Sequence, residues 1–384
     1  MKIIQNATLY QVSGHLLANQ CIRIENGKIT EIGSDLPIKD GQVIDAQGAL
    51  LFPGFIDAHC HLGMWEDGIG VEGADGNEMV DPVTPHMRAI DGINPMDRTF
   101  EEARNGGITA CATGPGSANV IGGTFAAIKT AGNRIDDMIL QDPLAMKCAF
   151  GENPKRVYAD QKKTPFTRMG TAATLRKTLF QAKEYWNKKN NNQNDPSKQP
   201  AFDMKMEALG PVLTKEIPLK AHAHRADDIF SAIRIAKEFD CKLTLDHCTE
   251  GHLIADDLAK EGYPALVGPS LSERSKFELK NLTFETPGIL YQAGVKIAII
   301  TDSPVIPLQY LPLCASLASK HGLPKEEAIK AITINAAEIL GLDDRIGSIE
   351  IGKDADLVLW DQHPFQYDAK VLMTLINGEI VYKA

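Results

Sequence analysis

The chain has 384 residues, 43% of them hydrophobic and 23% charged, with a formal net charge of −10 at pH 7. That length supports one large domain and a smaller one with ample core. No basic stripe is present to neutralise phosphates, which excludes nucleic acid as the main partner, and no apolar run reaches the roughly 18 residues of a membrane-spanning helix. Met1-Lys-Ile-Ile-Gln-Asn6 lacks the apolar core of a signal peptide. The seven cysteines are odd in number, form no Cys-x-x-Cys and sit mostly among apolar neighbours, as in a reducing compartment. The expectation is a cytoplasmic protein acting on a small molecule, with no nucleic-acid or membrane partner; a homo-oligomer is compatible with it.

Residues 1–52 read as short strands, and residues 20–33 alternate on both sides of Asn26-Gly27, the strongest short hairpin signal. Residues 356–360 and 371–382 mirror them, the latter around Asn377-Gly378. Isolated hairpins are marginal, so residues 1–52 and 347–384 are expected to meet in one small β-sandwich flanking a unit at 53–346. In that unit, strands are expected at 54–61, 108–113, 145–150, 219–222, 242–247, 265–268 and 295–301. Helical patterns fall at 99–105, 171–188, 227–239, 253–261, 311–321 and 324–340. The rhythm is that of an α/β protein, a (β/α)8 TIM barrel, with the remaining strand expected near 202–207. Residues 183–199, with Asn190-Asn-Asn-Gln-Asn-Asp-Pro196 at their core, read as a solvated loop.

Reactive residues of such a barrel sit at the C-terminal ends of strands. At the first strand, Phe55, Asp57, His59 and His61 share one face. Two imidazoles two residues apart can aim at one ion, with Asp57 accepting an N–H from a ligand histidine. A surface histidine pair is the other reading, against which stands the apolar opposite face. Lys220-Ala-His-Ala-His-Arg225 brings His222 and His224. His247 ends a strand with Leu243 and Leu245 on its face and, alone, reads as a packed core histidine. Asp302 follows a run apolar on both faces, where a carboxylate is costly unless paired or on a metal; a helix N-cap is its other reading.

Pro53-Gly-Phe-Ile-Asp-Ala-His-Cys-His61 resembles the first-strand motif of the amidohydrolase superfamily. Nearly the whole chain is similar to its imidazolonepropionase-related branch, which also holds metal-dependent dipeptidases and carboxypeptidases. The resemblance implies His59 and His61 on strand one, His222 on strand five, His247 on strand six and Asp302 on strand eight as ligands of one or two divalent ions. Zinc comes first, with iron or manganese suiting the same donors. It implies that His224 lies further out, near substrate. Binuclear members bridge two ions with a carbamylated lysine or a glutamate from strand three or four; Lys147 and Glu152 are the residues on offer, and Glu152, where the strand would end, is preferred, its other reading being a loop residue of the Gly-Glu-Asn-Pro turn and that of Lys147 a barrel-interior or helix-pairing lysine. With a single ion, His247 is left as electrophile or proton shuttle. In the implied mechanism a bound ion acidifies water, and Asp302 takes the proton and hands it to the leaving nitrogen.

For the substrate, the glycine-rich run at 112–124 offers a ring of N–H groups. Gly114, Ser117 and Asn119 are expected to cradle a carboxylate, a tight turn being the alternative. Arg225 is a candidate for the same task, with a salt bridge as its other reading. The acidic loop at 63–95, with Trp65, Glu66 and Asp67, reads as a lid or subunit contact. The resulting expectation is a metal-dependent amidohydrolase cleaving a C–N bond, other than an ordinary peptide bond, of a small cyclic amide of the imidazolone type or of a dipeptide or N-acyl amino acid. A ring deaminase and a scaffold without turnover are the rivals. Loss of a ligand would mark the scaffold, and every expected position is filled.

Overall fold

The computed structural model describes residues 1–11, 14–37, 41–66 and 70–384; Asp67 lies outside them. The strands in chain order are Lys2–Tyr10 (β1), Leu16–Glu25 (β2), Lys28–Gly33 (β3), Gln42–Asp45 (β4), Leu50–Pro53 (β5), Phe55–Cys60 (β6), Ile108–Thr113 (β7) and Ile121–Lys129 (β8). They continue with Ile139–Ala149 (β9), Leu219–Ala223 (β10), Leu243–His247 (β11), Ala265–Val267 (β12), Ile297–Ile299 (β13), Leu357–Trp360 (β14), Val371–Ile376 (β15) and Glu379–Lys383 (β16). Among the described residues they form two eight-stranded sheets.

Both chain ends build the smaller sheet, in the order β16-β15-β14-β5-β1-β2-β3, with β4 also on β1. One edge of β1 pairs with β2, while the other takes β4 along its first half and β5 near its end. The sheet thus closes over its own apolar core, in which Ile4, Ile22, Ile29, Leu51, Leu357 and Leu375 meet. The two Asn-Gly turns have matching left-handed pairs, Asn26 (φ 50°) with Gly27 (φ 78°) and Asn377 (φ 50°) with Gly378 (φ 73°). They touch through Ala355, whose N–H donates to the Gly27 carbonyl and whose carbonyl accepts from Gly378 N–H.

The larger sheet runs β6 to β13 in chain order and is a nearly closed barrel. Its seam is drawn together by Asp57. Asp57 Oδ2 accepts from Thr301 N–H at 2.9 Å and Thr301 Oγ1–H at 2.6 Å, while His61 N–H donates to the Ser303 carbonyl at 2.8 Å. Leu219, Leu243 and Leu245 face outward into one core with Ile229, Ile233 and Ala236 of the helix Ala226–Phe239.

The barrel departs from strict βα alternation. The strand expected near 202–207 is instead β8, which is antiparallel to both β7 and β9. Met204–Ala208 is a short helix, started by the Asp203 side chain accepting from the N–H groups of Lys205 and Met206. The helix expected to 188 runs over Arg168–Asn191, into the first half of the polar tract. That expected at 324–340 is two helices, Lys325–Lys330 and Ile334–Leu340, parted at Thr333 by a non-helical backbone (φ −137°, ψ −103°). No described helix is long and apolar enough to cross a membrane.

Candidate metal centre

The C-terminal ends of β6, β10 and β11 and the short stretch beyond β13 bring two donor groups together, His59 with His61 and Asp302, and His222 with His224 and His247. In the first, Asp302 Oδ1 stands 3.5 Å from His59 Nε2 and 3.2 Å from His61 Nε2. The second adjoins it, with the His247 ring 5.1 Å from that of His59 and 4.4 Å from that of His222.

The far nitrogen of each ring fixes its orientation. His61 Nδ1–H donates to the Gly114 carbonyl at 2.7 Å, and His247 Nδ1–H to the Gly268 carbonyl at 2.8 Å. His59 Nδ1 approaches Asp246 Oδ2 to 2.9 Å. A carbonyl can only accept, so Nδ1 of His61 and of His247 carries the proton and their Nε2 lone pairs are left for the site; the carboxylate beside His59 Nδ1 favours the same tautomer there. Lys147, on β9, reaches the same place, its Nζ 3.2 Å from His59 Nε2. Lys220 holds Asp246 from the other side, donating to Oδ1 at 3.3 Å and to the Ala58 carbonyl at 3.0 Å.

Burial makes this a neutral-imidazole site. It drives His59 down to about 4, with Lys147 reinforcing and Asp246 opposing. It drives His224 down to about 3, helped by His222, and His247 well below its ordinary value. Neutral imidazole is the metal-binding form. Lys147 is lowered to about 8, burial prevailing over Asp246 and Asp302.

Does this set suit a cation? His222 Nε2, His247 Nε2, Asp302 Oδ1 and Glu278 Oε1 are buried with no hydrogen-bond partner among the described residues, and such atoms ordinarily find one. Imidazole nitrogens and carboxylate oxygens converging on one space are the donors of zinc, iron or manganese. The residues present therefore fit a divalent ion. Strained backbone clusters here too, with His247 (φ 75°), Cys248 (φ 50°) and Asp302 (φ 54°) in the left-handed region.

The other expected residues are placed as follows. Glu152 joins neither group, because its Oε1 accepts from Glu278 N–H at 3.0 Å. Asp57 touches no imidazole ring; it accepts the backbone N–H of His59 at 3.0 Å, and the ring's partner is Asp246. Gly114 serves the site through its carbonyl rather than its N–H. Ser117 Oγ accepts from Asn153 at 2.7 Å. Asn119 is turned to its neighbours, its amide donating to Thr84 Oγ1 at 2.7 Å and accepting from Tyr158 O–H at 2.8 Å. Arg225 makes a fork with Asp227, both bonds 2.9 Å, and lies over the Phe277 ring. Trp65 meets His61 with ring centroids 5.0 Å apart. Asp246, Lys220 and Glu278 were not expected. Asp246 points opposite to His247 in an extended strand and Glu278 lies in a loop, so neither stood out in the sequence.

The amidohydrolase family model matches residues 219–381. The crystal structure of an amidohydrolase from Thermotoga maritima MSB8 is 45% identical, covers 100% of both chains and superposes with a TM-score of 0.97. Amidohydrolase tasK of Hapsidospora irregularis is 30% identical over 93% of this chain, which spans 39% of that protein. Imidazolonepropionase of Maricaulis maris (strain MCS10) is 36% identical over 38% of this chain and 36% of its own length. The chain thus matches well under half the length of these two curated relatives. Full-length identity of 45% to the solved Thermotoga protein, on the same barrel, means that this chain belongs to the amidohydrolase family.

Proposed function

We propose that this protein is a metal-dependent hydrolase opening a C–N bond of a small cyclic amide of the imidazolone type, or of a dipeptide or N-acyl amino acid. The observation that carries the reading is the convergence of His59, His61 and Asp302 beside His222 and His247 in one buried mouth. The local likeness to imidazolonepropionase supports the cyclic amide within that class. His59, His61 and Asp302 would hold one ion. Of the two candidates, Lys147 rather than Glu152 would join it, as a carbamate, since its side chain ends 3.2 Å from His59 Nε2. When bound, a divalent cation supplies Lewis acidity and a nucleophile at neutral pH.

The chain's own residues do the rest. Asp302 turns Oδ1 toward His59 and His61, leaving Oδ2 to receive the proton of the attacking water and return it to the leaving nitrogen. His247 is fixed through Gly268, which leaves its Nε2 free for a cation or a substrate carbonyl. Trp65 walls the mouth beside His61.

Purified protein is expected to carry one to two equivalents of divalent metal, and His59→Ala to lose metal together with hydrolysis of cyclic amides, N-acyl amino acids or dipeptides. Full metal content in the variant, measured by elemental analysis, would overturn the reading. Ammonia released with the ring intact would replace it with deamination.

A further inference from the structure

The rim of the mouth is built by loops that leave the C-terminal ends of different strands. Ser117 follows β7, Asn153 lies in the first turn of the helix Glu152–Asp160 after β9, and Lys276 follows β12. All three are half-buried, and hydrogen bonds join them in a row. Asn153 Nδ2–H donates to Ser117 Oγ at 2.7 Å, and Lys276 Nζ donates to Asn153 Oδ1 at 3.0 Å. The carboxamide holds the ammonium by a neutral oxygen, which occupies one of its three N–H donors and cancels none of its charge.

Two other cations of these loops are already neutralised. Arg168 Nε donates to both oxygens of Asp228 at 3.0 Å, and Arg225 forks onto Asp227. Lys276 is different. Glu278 Oε1 stands 3.9 Å from its Nζ, too far for a hydrogen bond. The other oxygen of Glu278 is tied to Glu152 N–H at 2.9 Å, which keeps this carboxylate from closing on the lysine. The same Oε1 stands 3.8 Å from His224 Nε2 and 3.9 Å from His222 Nε2, so the ammonium lies beside the imidazoles of the candidate centre.

We propose that Lys276, steadied by Asn153 and Ser117, determines substrate specificity by binding a carboxylate that lies a few bonds from the scissile C–N bond. The spacing follows from the geometry, because one carboxylate oxygen is within 3.9 Å of both the ammonium and the imidazoles, and a substrate bridging them is short. In an N-acyl amino acid or a dipeptide only the α-carbon separates the carboxylate from the amide nitrogen. A neutral cyclic amide offers the lysine nothing to pair with. The inference rests on the hydrolase reading above and narrows its substrates to N-acyl amino acids and dipeptides with a free carboxylate. The task expected of Gly114, Ser117, Asn119 and Arg225 falls to a lysine that no motif marks, with Ser117 serving it through Asn153.

The test compares hydrolysis of N-acetyl amino acids and dipeptides with hydrolysis of their C-terminal carboxamides by the metal-loaded enzyme. Wild type is expected to favour the acid of each pair by about 10–100-fold in kcat/KM, the worth of a hydrogen bond to a charged group. Lys276→Met is expected to erase that preference by raising KM for the acid, with far smaller changes in its kcat and in KM for the carboxamide. Lys276→Arg keeps the charge and is expected to keep the preference; Lys276→Gln replaces Lys276→Met if the latter does not fold. A structural role would lower both members of a pair alike. That result, or equal hydrolysis of acid and carboxamide by wild type, overturns the proposal. Wild type that opens only neutral cyclic amides overturns it and leaves the hydrolase reading standing. Wild type that hydrolyses none of these compounds overturns that reading, and the proposal with it.

Discussion

A histidine becomes a dependable ligand when its far nitrogen is held, and here the holder of His59 is a carboxylate rather than a carbonyl. Burial disfavours charge on Asp246, but Lys220 and His59 outweigh it and keep the carboxyl ionised well below the usual range. Asp246→Asn is therefore expected to weaken metal binding by about 10–100-fold in a chelator competition, with the fold intact. An unchanged affinity would show that His59 needs no such partner. Strand-end position and side-chain chemistry made His59, His61, His222, His247 and Asp302 legible in the sequence. Asp246 was hidden by parity. In an extended strand it points opposite to His247, with Thr244 and across from His222. Both reach the mouth because His247 adopts φ 75° and swings out of the strand pattern, a twist that alternation cannot announce.

At the scale of elements, sequence was read well where turn chemistry or an apolar run is unambiguous, as at the two Asn-Gly hairpins and the parallel strands. It failed at β8, whose Ile121-Gly-Gly-Thr124 start has the composition of a loop. What makes it a strand is its two neighbours, which meet it over most of its length. The passage from the small sheet to the barrel is equally contextual. Gly54 lies between β5 and β6, and a Cβ there would stand 2.0 Å from Oγ1, 2.4 Å from Cγ2 and 2.7 Å from Cβ of buried Thr109. Gly54→Ala is expected to destabilise the fold by about 1–3 kcal/mol in denaturant unfolding. Thr109→Ala removes the two nearer atoms but keeps Cβ at 2.7 Å, so the double variant should regain only part of the loss. A double variant no better than Gly54→Ala would mean that the glycine serves some other need than this contact.

The whole molecule depends on the joint between its two sheets. Tyr10 and Phe52 stack at 4.6 Å, Phe52 meets Phe55 at 6.2 Å, and Phe55 meets Trp360 at 5.9 Å, linking the small sheet to the first barrel strand. Lys129, at the end of β8, pairs within the joint with Asp354 and Asp356. His363 closes the aromatic group, edge-on to Phe52 at 5.7 Å, with its Nδ1 accepting from Phe365 N–H at 3.1 Å. Burial, with Lys325 adding and Glu326 opposing, lowers this imidazole from 6.5 to about 4. Between those values the unfolded chain takes a proton that the folded one refuses. The contribution to stability is therefore whole above pH 6.5, falls as pH drops toward 4 and levels off below that. The full difference corresponds to roughly 3 kcal/mol, and because the ring is only partly buried an effect on the order of 1–2 kcal/mol is expected. His363→Asn keeps an acceptor for Phe365 N–H and removes the titration. Comparing unfolding free energies of the two proteins at pH 7 and pH 5 cancels the contribution that the metal-site histidines share. The variant should lose less stability over that interval than wild type; parallel losses would mean that His363 titrates normally and that the joint tolerates its charge.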